Sequence, residues 1–206
     1  MSNLETAKHN MVEQQIRPWN IDNEDVLTTF ETLNRHDFVP QQYKNLAYAD
    51  CQIPLTATNT MMKPVIEARL LQALNVTKED KCLEIGTGSG YLTACLASLG
   101  ESVHTIEINT DTINQAKQKL SAFRNITFQN ASLDNVSLGE NTYNAIAVTG
   151  STDSVTQVLK SALKVNGRLF VIVGEAPSMQ ALLVTRTDAN SWSTVSLFET
   201  EIDALN

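Results

Sequence analysis

Three glycines, Gly86, Gly88 and Gly90, fall at alternate positions in the stretch Leu83-Glu-Ile-Gly-Thr-Gly-Ser-Gly-Tyr. A short apolar run precedes them and a helix-like one follows, so they mark a strand-to-helix turn. Lacking Cβ atoms, such residues let backbone approach a ligand closely and accept the positive φ angles of a tight turn. Glu107 closes the next apolar segment. A carboxylate there can accept both hydroxyls of a ribose, so turn and acid together suit an adenosine cofactor.

The spacing narrows the choice. A dinucleotide-binding turn has its third glycine five residues after the first, where a helix N-terminus can meet the pyrophosphate. Here that position is Tyr91. The spacing fits a cofactor without pyrophosphate, and S-adenosylmethionine leads. Glu84 would be unhelpful beside phosphates but can help hold a cationic amino-acid and sulfonium end. The candidate cofactor residues are therefore Glu84, Ile85, Gly86, Thr87, Gly88, Ser89, Gly90 and Tyr91 in the turn, with Glu107 and Ile108 at the next strand end. Thr149 joins them at the end of the fourth strand, since open sheets bind ligands at strand carboxyl ends.

These residues need a scaffold, and the apolar periodicity supplies one. Residues 4–60 read as helical and irregular. A first helix carries Leu4, Ala7, Met11, Val12 and Ile16 and stops at Pro18. Asp22 is the expected N-cap of a second, whose buried stripe is Val26, Leu27, Phe30 and Leu33. Residues 38–60 read as turns and short extended pieces. From Pro64 the order is regular: a helix with Val65, Ala68, Leu71 and Leu74 inward, strand 82–85, helix 91–99, strand 103–108 and helix 111–123. Strand 126–129, strand 145–149, helix 154–163 and strand 168–173 continue it. Alternation of this kind implies a parallel sheet covered on both faces. Residues 181–185 and 195–198, joined across Asp188-Ala-Asn-Ser, read as an antiparallel hairpin at the sheet edge. The expected fold is α/β: a Rossmann-like, mostly parallel seven-stranded sheet with a C-terminal antiparallel hairpin and an N-terminal helical extension. Residues 1–62 form the extension, on the substrate side, and residues 63–206 the cofactor-binding domain, the two making one folding unit.

Composition limits the alternatives. The hydrophobic share of 42% in 206 residues supports a packed core. No apolar run reaches the ~20 residues that cross a bilayer, and the polar start Met1-Ser-Asn-Leu-Glu has no secretory pattern. The net charge of −8 repels phosphate backbones, which argues against a nucleic-acid substrate. Three cysteines and three scattered histidines have no metal-ligand spacing, so reduced thiols, no metal and a cytoplasmic protein are expected. Cys82 and Cys95 read as core filler, and Met11, Met61 and Met62 as packing. Arg17 and Trp19 could touch a peptide, but a Trp packed on the core is the expected outcome.

The cofactor turn resembles the signature of the protein-L-isoaspartate O-methyltransferase family. Met11-Val-Glu-Gln, Asp22 with Val26-Leu27, Phe38-Val-Pro, Tyr48-Ala-Asp, Ile53-Pro-Leu, Pro64 and Gly167-Arg-Leu follow in that family's order, over nearly the whole chain. The resemblance implies a monomer or weak homodimer that methylates the isoaspartyl carboxylate of damaged peptides and proteins. It also places residues: Thr60 matches the family's threonine before the long helix, Asp50 lies in the Tyr-Ala-Asp stretch as an acceptor-pocket residue or a turn cap, and the loop after the third strand, with Ala131 and Ser132, faces the adenine. Two positions depart from the pattern. The family's substrate-site serine is Met62, and its adenine-binding Asp is Ala131, leaving Asn130 or Ser132 to substitute. Three other readings stay open: the same build with a different methyl acceptor, a cofactor-binding interaction module without turnover, and a nicotinamide oxidoreductase.

Overall fold

The computed structural model describes residues 3–205. The first two residues of the polar start and the last residue of the expected cofactor domain lie outside that range. Seven strands form one sheet: β3 (Lys81–Ile85), β4 (Ser102–Glu107), β5 (Ile126–Asn130), β6 (Tyr143–Thr152), β7 (Leu163–Glu175), β8 (Ser178–Asp188) and β9 (Ser191–Thr200). The order is β5-β4-β3-β6-β7-β8-β9, parallel as far as β7 and antiparallel from there to the edge. The chain leaves β3 in one direction and returns to its other side at β6. The cleft at that switch is where open α/β sheets bind ligands.

Helices cover both faces. On one side lie α2 (Glu24–Thr32), α3 (Pro64–Leu74), α4 (Tyr91–Leu99) and α5 (Thr110–Lys119); on the other lies α6 (Gln157–Ala162). Successive strand residues divide between two cores: Ala145, Ala147, Phe170 and Ile172 face the first, and Ile146, Val148, Leu169 and Val171 the second. This period-two division makes the strands apolar along their whole length, as a doubly covered sheet requires. The first core also takes in Met11, Val12, Ile16, Phe30 and Met61, so the N-terminal segment packs on the sheet through α3 and α4.

Several local expectations need correction. The first helix is α1 (Asn3–Asn10), which widens into a π-helical turn over Met11–Ile16 and then tightens over Arg17–Trp19, so Pro18 sits inside the final turn. Asn23, not Asp22, caps α2, its side chain accepting from the N–H groups of Asp25 and Val26. The Gln72 side chain of α3 accepts the N–H groups of both Asp22 and Asn23 and so holds the start of the helix against α3. Trp19 is 54% exposed and lies against the Arg69 guanidinium instead of the core. Helix α6 starts three residues later than expected, capped by Thr156, and Leu163 passes directly into β7. Both hairpin strands run longer than their apolar cores, because β8 pairs on each side.

Two short strands, β1 (Ile53–Pro54) and β2 (Thr60–Met61), pair outside the main sheet and hold the segment ahead of α3 over the carboxyl ends of its strands.

Candidate active site

The ends of β3, β4 and β6 and the loop after β5 surround an open cleft at the carboxyl ends of the strands, where ligands of α/β sheets bind. Gly86 opens the floor with φ +94°, and a Cβ there would collide with the Thr149 hydroxyl. That hydroxyl donates to the carbonyls of Ile85 and Gly86 and so locks the end of β6 onto the turn. Gly90 serves helix packing instead. A Cβ on it would stand 3.1 Å from Leu120, so its absence allows α4 and α5 to approach closely.

Glu107 faces the cavity from the end of β4. One carboxylate oxygen accepts the Gly88 N–H and the other the Asn109 N–H, each at 3.0 Å. A carboxylate has about four acceptor sites, so two remain for the paired hydroxyls of a ribose. Asn130 does not reach the cavity. Its amide donates to the carbonyls of Glu107 and Ile108 and fixes the strand end. Ala131, Ser132 and Leu133 form the wall beyond, opposite Ile106 and Ile108. These residues are apolar apart from the Ser132 hydroxyl, a lining chemically suited to a purine ring.

A second, smaller recess continues from the first past Thr60, Gly86 and Gly88. Glu84 lies at its base, fully buried. One of its oxygens accepts from the hydroxyls of Thr93 (2.6 Å) and Thr105 (2.7 Å), and the other has no partner among the described residues. Burial pushes its carboxyl up to about 8, against the two hydroxyl hydrogen bonds that pull it down. An orphaned buried acceptor beside a glycine turn is what the ammonium of an amino-acid group would satisfy, so these residues fit S-adenosylmethionine. Thr87, bonded to the Thr105 hydroxyl, and Ser89 complete this part.

The structure brings most of the expected residues together, but Gly90, Tyr91 and Asp50 line neither cavity. Tyr91 borders neither cavity; it is buried between the edges of Phe30 and Phe38 and beneath the Arg35 guanidinium, anchoring the turn to the N-terminal segment. Asp50 also stands outside, and its carboxylate accepts the Val65 N–H at the start of α3. Thr60 is in the wall shared by both cavities, and Met62 lines the inner one.

Other contributors have no sequence signal. Arg35 is wholly buried, paired with Glu67 of α3, and donates to the Met62 carbonyl at 2.6 Å. Burial raises the Glu67 carboxyl above its ordinary value, with Arg35 opposing. Asp203, far downstream, accepts the N–H and the hydroxyl of Thr60 on a single oxygen, at 2.7 and 2.8 Å. Its flanking residues Ala204 and Leu205 also line the outer cavity. A lone acid after the last strand resembles any solvated residue until the chain is folded.

Sheet order, glycine turn and an acid facing the cavity from the end of β4 are those of a Rossmann-like methyltransferase. Similarity to known proteins specifies the family: the profile for protein-L-isoaspartate(D-aspartate) O-methyltransferase matches residues 6–200, and the chain belongs to that family. The protein-L-isoaspartate O-methyltransferase of Gloeobacter violaceus is 36% identical over 180 residues, covering 86% of this chain and 88% of that protein. The Petrotoga mobilis protein of the same name is 33% identical over 194 residues, covering 90% and 88%. Among solved structures, a protein-L-isoaspartate O-methyltransferase from Plasmodium falciparum in complex with S-adenosyl-L-homocysteine superposes with a TM-score of 0.82, at 20% identity, over 100% of this chain and 99% of that one. At that identity the superposition speaks for the fold.

Proposed function

We propose that this protein is an S-adenosylmethionine-dependent carboxyl methyltransferase that acts on isoaspartyl residues of damaged peptides and proteins. The observation that carries the reading is family membership over nearly the whole chain, joined to a cavity whose polar groups match an adenosine and amino-acid ligand end to end. Glu107 holds the ribose hydroxyls, Ile108, Ala131 and Leu133 enclose the adenine with Ser132 at its edge, and Glu84 takes the ammonium. When bound, the cofactor supplies a methyl group on a cationic sulfur, open to in-line displacement.

The acceptor needs little chemical help. A carboxylate is already ionised at neutral pH, so no side chain has to take up a proton. What the protein must do is position the two groups and exclude water, which contributes several kcal/mol by itself. Thr60 presents an N–H and a hydroxyl from the wall between the two recesses. The Arg35 bond to the Met62 carbonyl holds the loop that carries them. Residues 1–62, which contribute this loop, form the substrate side of the protein, and residues 63–206 the cofactor domain. A net charge of −8 and three free cysteines favour a protein acceptor in the cytoplasm over a nucleic acid, with the chain acting as a monomer or weak homodimer. No helix among the described residues is long and apolar enough to cross a membrane.

A second reading, the same methyltransferase with a different acceptor, is favoured by Met62 at the family's serine position and by the lack of any Lys or Arg among the residues lining the two cavities. Incubation with labelled S-adenosylmethionine and an isoaspartyl peptide, beside the matched aspartyl peptide, separates them. Base-labile label on the isoaspartyl peptide alone is expected. No label from a protein that binds S-adenosylhomocysteine would move the assignment to the second reading.

A further inference from the structure

Residues 203–205 line the outer cavity next to the end of β6. Glu201 is held through its carbonyl by the Gln52 side chain at 2.9 Å. Asp203 and Leu205 bracket Ser151 at the end of β6: the Ser151 N–H donates to the Asp203 carbonyl at 2.9 Å, and the Leu205 N–H donates to the Ser151 carbonyl at 2.8 Å. A Cβ on Gly150 would lie 2.7 Å from the Leu205 backbone, so the segment is seated directly on the strand end. This placement aims the Asp203 carboxylate at Thr60.

Thr60 offers two donors to one point, its N–H and its hydroxyl, and both end on one oxygen of Asp203. Two convergent donors are what grips an incoming carboxylate oxygen. Among the described residues, the walls offer no cationic group to compete for that role, and their other charged members, Glu67, Glu84 and Glu107, are acids. The chain's own carboxylate therefore occupies the best anion-binding position in the cavity.

We infer that Asp203 is a specificity-determining residue of the acceptor site: an internal carboxylate that holds the Thr60 donors and must yield them before an acceptor carboxylate can bind. The inference rests on the carboxyl-acceptor reading proposed above. Its consequence is arithmetic: if the donors are free about a tenth of the time, apparent acceptor affinity falls about tenfold. A second carboxylate approaching an ionised Asp203 also meets repulsion, so acceptors with a free neighbouring ammonium suffer least.

The test is direct binding. A fluorescein-labelled isoaspartyl peptide is titrated into the full chain loaded with S-adenosylhomocysteine, for wild type, Asp203→Ala and Asp203→Asn. Asp203→Ala is expected to bind about tenfold tighter, and Asp203→Asn to fall between, since a neutral acceptor holds the donors less well. Adding Thr60→Val, which removes one donor, should abolish most of the gain. Asp203→Asn keeps the shape of the segment and remains informative if Asp203→Ala melts early. Unchanged or weaker peptide binding in both Asp203 variants overturns the inference. Methylation by wild type with no gain in the variants defeats the inference alone. Tighter peptide binding by the variants without methylation by any of them defeats the carboxyl-transfer reading alone.

Discussion

Around the glycine turn, the functional atoms come from two neighbouring strands and the segment between them, residues 81–107, and a few short hydrogen bonds set their positions. On the Thr60 side, the wall is assembled from three stretches far apart in the chain: residues 55–62, the end of β6, and residues 203–205. The first region is set largely by local geometry, because the positive φ angles of Gly86 and Gly90 favour glycine, and the seat of Gly86 on Thr149 adds a tertiary tie to β6. The second depends on tertiary hydrogen bonds such as Thr60 to Asp203 and Arg35 to the Met62 carbonyl. On the proposed reading, the cofactor is held by a largely local motif, whereas the acceptor meets a wall built on contacts that single substitutions can alter.

The sharpest way to break this contrast is Gly86→Ala. A Cβ at φ +94° that strikes Thr149 strains the turn by about 1–3 kcal/mol and pushes β6 off it. Calorimetry with S-adenosylhomocysteine should show cofactor affinity down by more than about a hundredfold, with a lowered melting temperature. Glu107→Ala is expected next, losing about ten- to a hundredfold in the same titration, since it removes a charged acceptor and frees the N–H groups of Gly88 and Asn109.

Glu84 sharpens the comparison through pH. Its carboxyl sits near 8 when folded against an ordinary 4.5, so the folded chain keeps a proton that the unfolded chain loses. Its contribution to stability therefore declines as pH rises from about 4.5 to about 8, with a slope of up to about 1.4 kcal/mol per unit. Chemical denaturation across that range should show a shallower slope in Glu84→Gln than in wild type, with Glu67, also raised by burial, supplying part of what remains. An ammonium bound there favours the ionised form, so S-adenosylhomocysteine affinity should climb by up to about tenfold per pH unit below 8 and flatten in the variant.

The smallest expected effect is on the acceptor side. Met62→Ser should raise kcat/KM for an isoaspartyl peptide by about three- to tenfold, the worth of one orienting hydrogen bond, and leave cofactor affinity unmoved. It should also cost about 2 kcal/mol in unfolding experiments, because Met62 is only 6% exposed and packs in the first core. A change in cofactor affinity instead would show that the two regions are one.

The sequence by itself determined the order of strands and helices, the turn at Gly86 and the acid at Glu107, because each is a local pattern: a period of two or 3.6, a glycine with a positive φ, an acid closing a strand. Its errors were errors of neighbourhood. Asp22 and Asn23 are equally good caps in the sequence, and in the fold it is Asn23 that also bonds the Asn75 side chain at the end of α3 and caps the helix. Tyr91 adjoins the glycines in sequence, yet the first turn of a helix points it away from the ligand into Phe30, Arg35 and Phe38. Only the tertiary structure decided that Arg35 and Glu67 hold the acceptor loop and that Asp203 meets Thr60, 143 residues away in the chain. Hydrogen bonds between such distant residues leave no period or spacing behind, since their geometry exists only once the sheet has brought the segments to one end.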